Sequence, residues 1–442
     1  MKNTILKTLV SLLFFLFFFN FQSLADDDNL FEDDTQVNLF NSAVMSFNNK
    51  NYQSVVDSTD KLISLNAKIP QAFSLRGNAY FALGQYDKAI ADFTKAIALN
   101  SKFIDAYRRR SDTYRTQGKF DLALNDMNTL IEIEPDNSNF YYNRGVLHRE
   151  SNDIPHSFSD LSKSIALNPQ NSNALLTRAD VLFSLNDFEQ AKKDLDIALK
   201  INNNMTEAYK LRGMINYRLK DYDAAIKDYE KIITLDKNDY SVYYYRGLVY
   251  SEQMNYPKAL ADYNMAIEKN FLANNSIYYN RAVIFYQLEE WNNAIKDINF
   301  LLTLGEEPHL FDLRGAIYFK QKEYEKAAND FTKLLKSLPN NINAINSRGN
   351  CYFSLERYDE AIADFTKSIE LNPNAIPTYH NRSNCYRAKE NWSAAIDDCR
   401  KFIELAKNNS EYSSYIADVE KEIEYYEYKK NEKNNEQFQN KD

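Results

Sequence analysis

Leu75-Arg76-Gly77-Asn78-Ala79-Tyr80, followed by Gly84-Gln85-Tyr86, Ala89, Phe93 and Ala96, is the stretch from which the remaining sequence can be read. Its arginine returns every 34 residues at Arg110, Arg144, Arg178, Arg212 and Arg246. The series continues at Arg281, Arg314, Arg348 and Arg382, with one residue gained before Arg281 and one lost before Arg314. A small residue follows each arginine, as at Gly77, Ser111, Gly145, Ala179 and Gly213, and an aromatic commonly stands three positions further on. Thirteen residues after the arginine stands alanine, except at Ser157. Two helices can cross closely only where one presents no bulky side chain, so these small columns mark helix crossings and the aromatics fill the space beside them.

Prolines and glycines supply the boundaries. Pro135, Pro169, Pro339 and Pro373 fall between hairpins, where a helix has just ended. Pro70, Pro308 and Pro377 open first helices, and Pro155 and Pro257 open second ones, where a missing N–H costs little. Gly84 and Gly118 occupy the turn inside the hairpin. A chain with nine glycines and nine prolines among 442 residues is too poor in turn formers for an all-β protein. The fold class is all-α.

These residues resemble the tetratricopeptide repeat, with arginine where leucine is commoner. The resemblance implies a right-handed superhelical solenoid of about eleven hairpins whose first helices line a concave groove. The register places hairpins at 36–69, 70–103, 104–137, 138–171, 172–205, 206–239, 240–274, 275–307, 308–341, 342–375 and 376–409, the first of them degenerate. Residues 410–429 read as an amphipathic capping helix, with Tyr415, Val419, Ile423 and Tyr426 at helical spacing. The polar residues 430–442 read as a disordered tail.

Sixteen residues after every arginine stands an aspartate: Asp92, Asp126, Asp160, Asp194, Asp228, Asp262, Asp297, Asp330, Asp364 and Asp398. Ten anion-binding or acid–base sites are one reading of this ladder. Ion pairs bracing the two helices of each hairpin are the other, and buried charges are normally paired. The degenerate hairpin favours the brace, because Ser42 and Ser58 stand where both partners would be. Pairing within each hairpin leaves no charge unmatched.

Residues 1–25 read as a signal peptide: Lys2 and Lys7, an apolar run from Leu9 to Phe21 with Ser11 and Asn20 in it, then Ser23-Leu24-Ala25 before the cut. The run is short for a membrane span, and an uncleaved anchor is the alternative. Residues 26–35 read as an acidic flexible segment. Export across a membrane follows, to a periplasm, a secretory lumen or the exterior. The formal charge of −9 argues against a dedicated nucleic-acid binder. Cys351, Cys385 and Cys399 are too few for a disulfide framework. They read as buried thiols, with a Cys385–Cys399 bridge left open.

No catalytic chemistry is expected. No nucleophile elbow, phosphate loop or dinucleotide fingerprint occurs. No two of His148, His156, His309 and His380 stand at metal-ligand spacing on one helix face, so neither a metal site nor a cofactor is expected. The resemblance instead assigns the groove to residues two before, two after and five after the arginine column. These columns hold Arg108, Asp112, Arg115 and Arg149, then Phe183, Tyr217, Tyr244, Tyr279, Tyr286, Phe319 and Phe353. Arginine and tyrosine often dominate binding energy at interfaces. The arginines suit an acidic or C-terminal carboxylate group and the aromatics suit apolar side chains. The two-carboxylate clamp of chaperone-binding relatives is not matched: Asn143, Asn280 and Asn381 supply only one of its elements. The expected function is an exported scaffold that holds a polypeptide segment in its groove. A regulatory adaptor presenting substrates to a separate enzyme and a self-associating structural solenoid are the alternatives. The partner is a protein or peptide, not a nucleic acid or small molecule.

Overall fold

The computed structural model of the chain describes residues 31–269, 275–407 and 409–439. The signal-peptide reading, residues 26–30 of the acidic segment, and residues 440–442 lie outside them. The described residues form helices and turns with no strand, and they divide into two compact units at Lys237.

Unit 1 is a run of antiparallel hairpins: α1 (Asp34–Asn48) with α2 (Tyr52–Leu65), α3 (Pro70–Ala82) with α4 (Tyr86–Leu99), and α5 (Ile104–Thr116) with α6 (Phe120–Ile133). It continues with α7 (Ser138–Glu150) and α8 (Ile154–Leu167), α9 (Ser172–Ser184) and α10 (Phe188–Ile201), and α11 (Thr206–Arg218) and α12 (Tyr222–Leu235). Unit 2 repeats the plan: α13 (Ser241–Glu252) with α14 (Tyr256–Glu268), α15 (Ser276–Gln287) with α16 (Trp291–Leu304), and α17 (Pro308–Lys320) with α18 (Tyr324–Ser337). α19 (Ile342–Ser354) with α20 (Tyr358–Leu371) and α21 (Ile376–Ala388) with α22 (Trp392–Ala406) complete it, before α23 (Ile416–Gln439).

The turn inside each hairpin is a Schellman motif. In the first regular hairpin Gln85 N–H donates to the Tyr80 carbonyl at 2.8 Å and Gly84 N–H to that of Phe81 at 3.0 Å, so α3 closes its last carbonyls as it ends. The residue at the Gly84 position has positive φ in every hairpin, yet only Gly84 and Gly118 are glycine. Lys50, Asn152, Asn186, Lys220, Met254, Glu289, Lys322, Glu356 and Glu390 hold the left-handed conformation with a side chain. The cost is local, because asparagine tolerates that region and the others do so less readily.

Each hairpin is keyed where its helices cross. A Cβ on Gly213 would lie 2.7 Å from the Tyr229 ring, and one on Gly247 would lie 2.6 Å from Tyr263. Glycine faces Phe93, Phe331 and Phe365 in other hairpins. Where the small residue is Ser111, Ala179, Ala282 or Ser383, the facing position holds the slimmer Met127, Leu195, Ile298 or Cys399. Residue size on one helix is thus traded against size on its partner, except at Gly145, which faces Leu161.

Both ends differ from the reading of the sequence. The acidic run does not stay flexible to residue 35: Asp33 accepts from Gln36 N–H at 2.9 Å while Gln36 Oε1 accepts from Glu32 N–H at 3.2 Å. This reciprocal cap starts α1 at Asp34. At the other end the helix begins at Ile416 rather than 410 and runs to Gln439, through most of the expected tail. Val419 and Tyr426 are buried against Trp392 and Phe402, whereas Tyr415 lies outside the helix and is exposed. Lys430 bonds Ser393 at 3.2 Å and Lys433 pairs with Glu390 at 2.9 Å, polar contacts that carry the helix beyond its apolar face.

Candidate functional site

The arginine–aspartate ladder lies inside the hairpins. Arg76 Nε and Nη2 donate to the two Asp92 oxygens at 2.8 and 2.7 Å. The same two-pronged pair joins Arg110 to Asp126, Arg144 to Asp160, Arg178 to Asp194 and Arg212 to Asp228 in unit 1. In unit 2 it joins Arg246 to Asp262, Arg281 to Asp297, Arg314 to Asp330, Arg348 to Asp364 and Arg382 to Asp398. The aspartates are buried, between 1% and 6% exposed. Aromatics flank the guanidinium: Arg76 lies over Phe73 and Tyr80, and Arg281 over Tyr278 and Phe285, at 5.5 to 6.0 Å. Hydrogen bonds to Asp92 drive Arg76 further above its ordinary range, while burial pushes the Asp92 carboxyl up against the pull of Arg76. A buried carboxylate whose two oxygens are both engaged by one guanidinium braces the two helices of its hairpin.

The third nitrogen does something the spacing argument missed. Nη1 reaches back to the second helix of the preceding hairpin: Arg76 to Asp60 at 2.5 Å, Arg110 to Thr94 at 3.0 Å, Arg144 to Asn128 at 2.8 Å, Arg178 to Ser162 at 3.1 Å and Arg212 to Asp196 at 2.6 Å. Unit 2 repeats it from Arg281 to Asn264, Arg314 to Asn299, Arg348 to Thr332 and Arg382 to Thr366. One guanidinium therefore ties three helices. The signal was present in the sequence: two residues after each aspartate of the ladder stands a hydrogen-bond acceptor, until Arg400 breaks the column.

The groove columns are less open than expected. Arg115 forks onto Glu150 of the next hairpin at 2.5 and 2.6 Å, Arg149 pairs with Asp180 at 2.5 Å, and Arg108 bonds Asp105 at 2.7 Å. Burial works against ionisation of Asp105, but Arg109 and Arg108 overcome it and hold its carboxyl below the usual range. Asp112, half-buried among Arg109, Arg108 and Arg115, is pushed up by burial. The cationic cluster is thus a mesh of internal pairs, not a set of unengaged cations awaiting a carboxylate.

Among the aromatics, Tyr244 is a correction: it is 7% exposed, packed against Tyr245 and Tyr263, and its hydroxyl accepts from Asn280 at 3.4 Å. It belongs to the core of unit 2. Phe183, Tyr217, Tyr286, Phe319 and Phe353 are half-buried, and each packs on the aromatic that opens the second helix of its hairpin: Phe188, Tyr222, Trp291, Tyr324 and Tyr358. Their centroids lie 5.4 to 6.1 Å apart. These rings close the hairpin turn with one side and leave the other at the surface. Tyr279 meets His309 edge-on at 4.9 Å.

The three cysteines are free and buried. Burial pushes Cys351 and Cys385 up to about 12 and Cys399 to about 11, so all three are unreactive thiols at neutral pH. Cys399 lies 3.1 Å from the Ser383 hydroxyl. The histidines need a second correction. The turn between α7 and α8 brings His148 and His156 to 5.2 Å ring to ring, with Asp153 between them. Spacing on a single helix face could not reveal a cluster assembled from two helices.

With this geometry in hand, comparison with known proteins gives one family throughout. Tetratricopeptide repeat patterns match residues 70–103, 206–239 and 342–375, then 308–341, 108–172 and 172–205. The chain belongs to the tetratricopeptide repeat family, a class of protein–protein interaction scaffolds whose members typically bind protein or peptide partners and are generally non-catalytic. No curated protein matches the sequence. Solved structures similar to it include a tetratricopeptide repeat protein from Parabacteroides merdae, 18% identical over 57% of this chain and 100% of that one, TM-score 0.44. The C-terminal part of a repeat-containing protein from Cytophaga hutchinsonii is 17% identical over 54% and 97%, TM-score 0.46. YrrB, described as a repeat protein with an unusual peptide-binding site, is 22% identical over 40% and 92%, TM-score 0.36.

Proposed function

We propose that this chain is an exported scaffold that holds an extended polypeptide against the first-helix face of its hairpins. The observation that carries the reading is the column of half-buried aromatics at the ends of the first helices. Phe183 and Tyr217 stand in unit 1, and Tyr286, Phe319 and Phe353 in unit 2. Each ring is held by its turn-opening partner, so little side-chain freedom is lost on contact with a ligand. Neighbouring rings on successive hairpins suit apolar side chains of an extended segment. In unit 1 the Arg108, Asp112, Arg115 and Arg149 mesh offers paired charges, which favours a polar, mixed-charge stretch over a purely acidic one. Export rests on the first 25 residues, whose charged start, apolar run and small residues before Asp26 have the pattern of a signal peptide.

The test places a photo-crosslinking amino acid at Phe319 or Phe353 in the full chain, residues 1–25 included, expressed in its native host, with exposed Met265 on a second helix as control. Crosslinks to a defined polypeptide from the two first-helix positions and none from Met265 are expected. Equal crosslinking from Met265, or loss of nothing in a Phe319→Ala/Phe353→Ala chain, would overturn the reading.

A further inference from the structure

We infer that the α7–α8 turn is a binding site for a zinc-type divalent transition-metal ion, held by His148, Asp153 and His156. This goes beyond the scaffold reading and does not depend on it.

The same three positions come together in every hairpin: the last turn of the first helix, the residue capping the second helix, and a residue in the second helix's first turn. Elsewhere among the described hairpins these positions hold no imidazole. Tyr80, Gln85 and Lys88 are one set, with the Lys88 ammonium over the Tyr80 ring at 5.2 Å, and Tyr318, Glu323 and Lys326 are another, at 5.3 Å. The hairpin of α7 and α8 replaces the ring and the ammonium together with two imidazoles and puts a carboxylate between them.

The groups are pre-set. Asp153 N–H donates to the His148 carbonyl at 2.7 Å, and the Asp153 side chain accepts from His156 N–H at 3.3 Å. The turn thereby fixes all three backbones. His156 Nδ1 lies 2.9 Å from both Asp153 oxygens, His148 Nδ1 lies 3.2 Å from Oδ2, and the ligand atoms all fall within 4.8 Å of one another. A tetrahedral ion with metal–ligand bonds of about 2.0–2.1 Å would set its donors roughly 3.4 Å apart, so small rotamer shifts suffice.

A second observation points to a cation as the ligand. His148 Nδ1 is buried from solvent without a hydrogen-bond partner, because its approach to Asp153 is misaligned. Its other nitrogen faces Asp160 Oδ2 at 3.8 Å, so the ring presents Nδ1 to the cluster with a carboxylate behind it. Two nitrogens and one carboxylate match zinc and its neighbours rather than calcium or magnesium. The exposed side of His156 leaves the fourth position open to water.

The experiment is a calorimetric titration of the tag-free, chelator-treated full chain with zinc chloride, beside His156→Ala and His148→Tyr. The first substitution is at an exposed side chain, and the second restores the residue found at this position in other hairpins. One equivalent should bind the wild type, with affinity about tenfold or more lower in His156→Ala, whose fold circular dichroism should find intact. Magnesium should not compete. Failure of the wild type to bind one equivalent, or unchanged affinity in folded His156→Ala, overturns the assignment.

Discussion

The first hairpin and the last make an instructive pair. α1 and α2 have Ser42 and Ser58 in place of the ladder's arginine and aspartate, yet they pack through Phe40, Val55 and Leu62. Asp60 still stands at the acceptor position and receives Arg76 from the next hairpin. The last hairpin keeps Arg382 and Asp398, but at the acceptor position it has Arg400, which pairs with Glu427 of α23 at 2.9 Å. Where no described hairpin precedes, the arginine is gone; where none follows, the acceptor is gone. The difference teaches that apolar packing suffices to make a hairpin, and that the guanidinium's distinctive task is to tie a hairpin to its predecessor.

Several substitutions would break or sharpen this contrast. Asp330→Ala strands Arg314 in a nearly dry site and should cost the most, about 3 kcal/mol, read as a fall in the urea midpoint of unfolding. The matching position of the first hairpin, Ser58, should tolerate alanine. Gly213→Ala drives a methyl into Tyr229 and should cost about 2 kcal/mol, partly recovered with Tyr229→Leu, the residue that faces alanine at Leu195. Met254→Gly removes a side chain from a left-handed turn residue that is 75% exposed, and should raise stability by about 1 kcal/mol in thermal melts. Asn128→Ala deletes only the link from Arg144 and should cost about 1 kcal/mol or less, while sharpening the difference in hydrogen-exchange protection between the hairpins on either side.

The smallest effect concerns pH. Burial lowers the His148 pKa, so in metal-free protein the unfolded chain takes the proton first as pH falls below about 6.5. Stability should therefore decline with acidification through that range. In His148→Tyr this part of the decline should be absent from melting temperatures measured at a series of pH values.

The hairpins were legible because their signals are local and repeated: small residues at crossings, prolines at helix starts, and an arginine and an aspartate at constant separation. The acceptor column was equally regular but chemically varied, as Asp60, Thr94, Asn128 and Ser162 show, so it did not stand out as one residue type. The neutralisation of Arg115 and Arg149 was hidden because Glu150 and Asp180 come from neighbouring hairpins at unremarkable positions. Tyr244 was misplaced because a column that usually faces outward is covered here by Tyr245 and Tyr263. The extension of α23 escaped notice because beyond Tyr426 its polar sequence holds to unit 2 through Lys430 and Lys433 rather than through an apolar stripe.

The most direct test is a pair of double-mutant cycles, Arg178 with Asp194 and Arg178 with Ser162, read by urea unfolding of the single and double alanine variants. The account predicts coupling of about 1 kcal/mol or more within the hairpin and a smaller but nonzero coupling to the preceding one. Additive effects in both cycles would contradict it, because the arginine would then brace nothing.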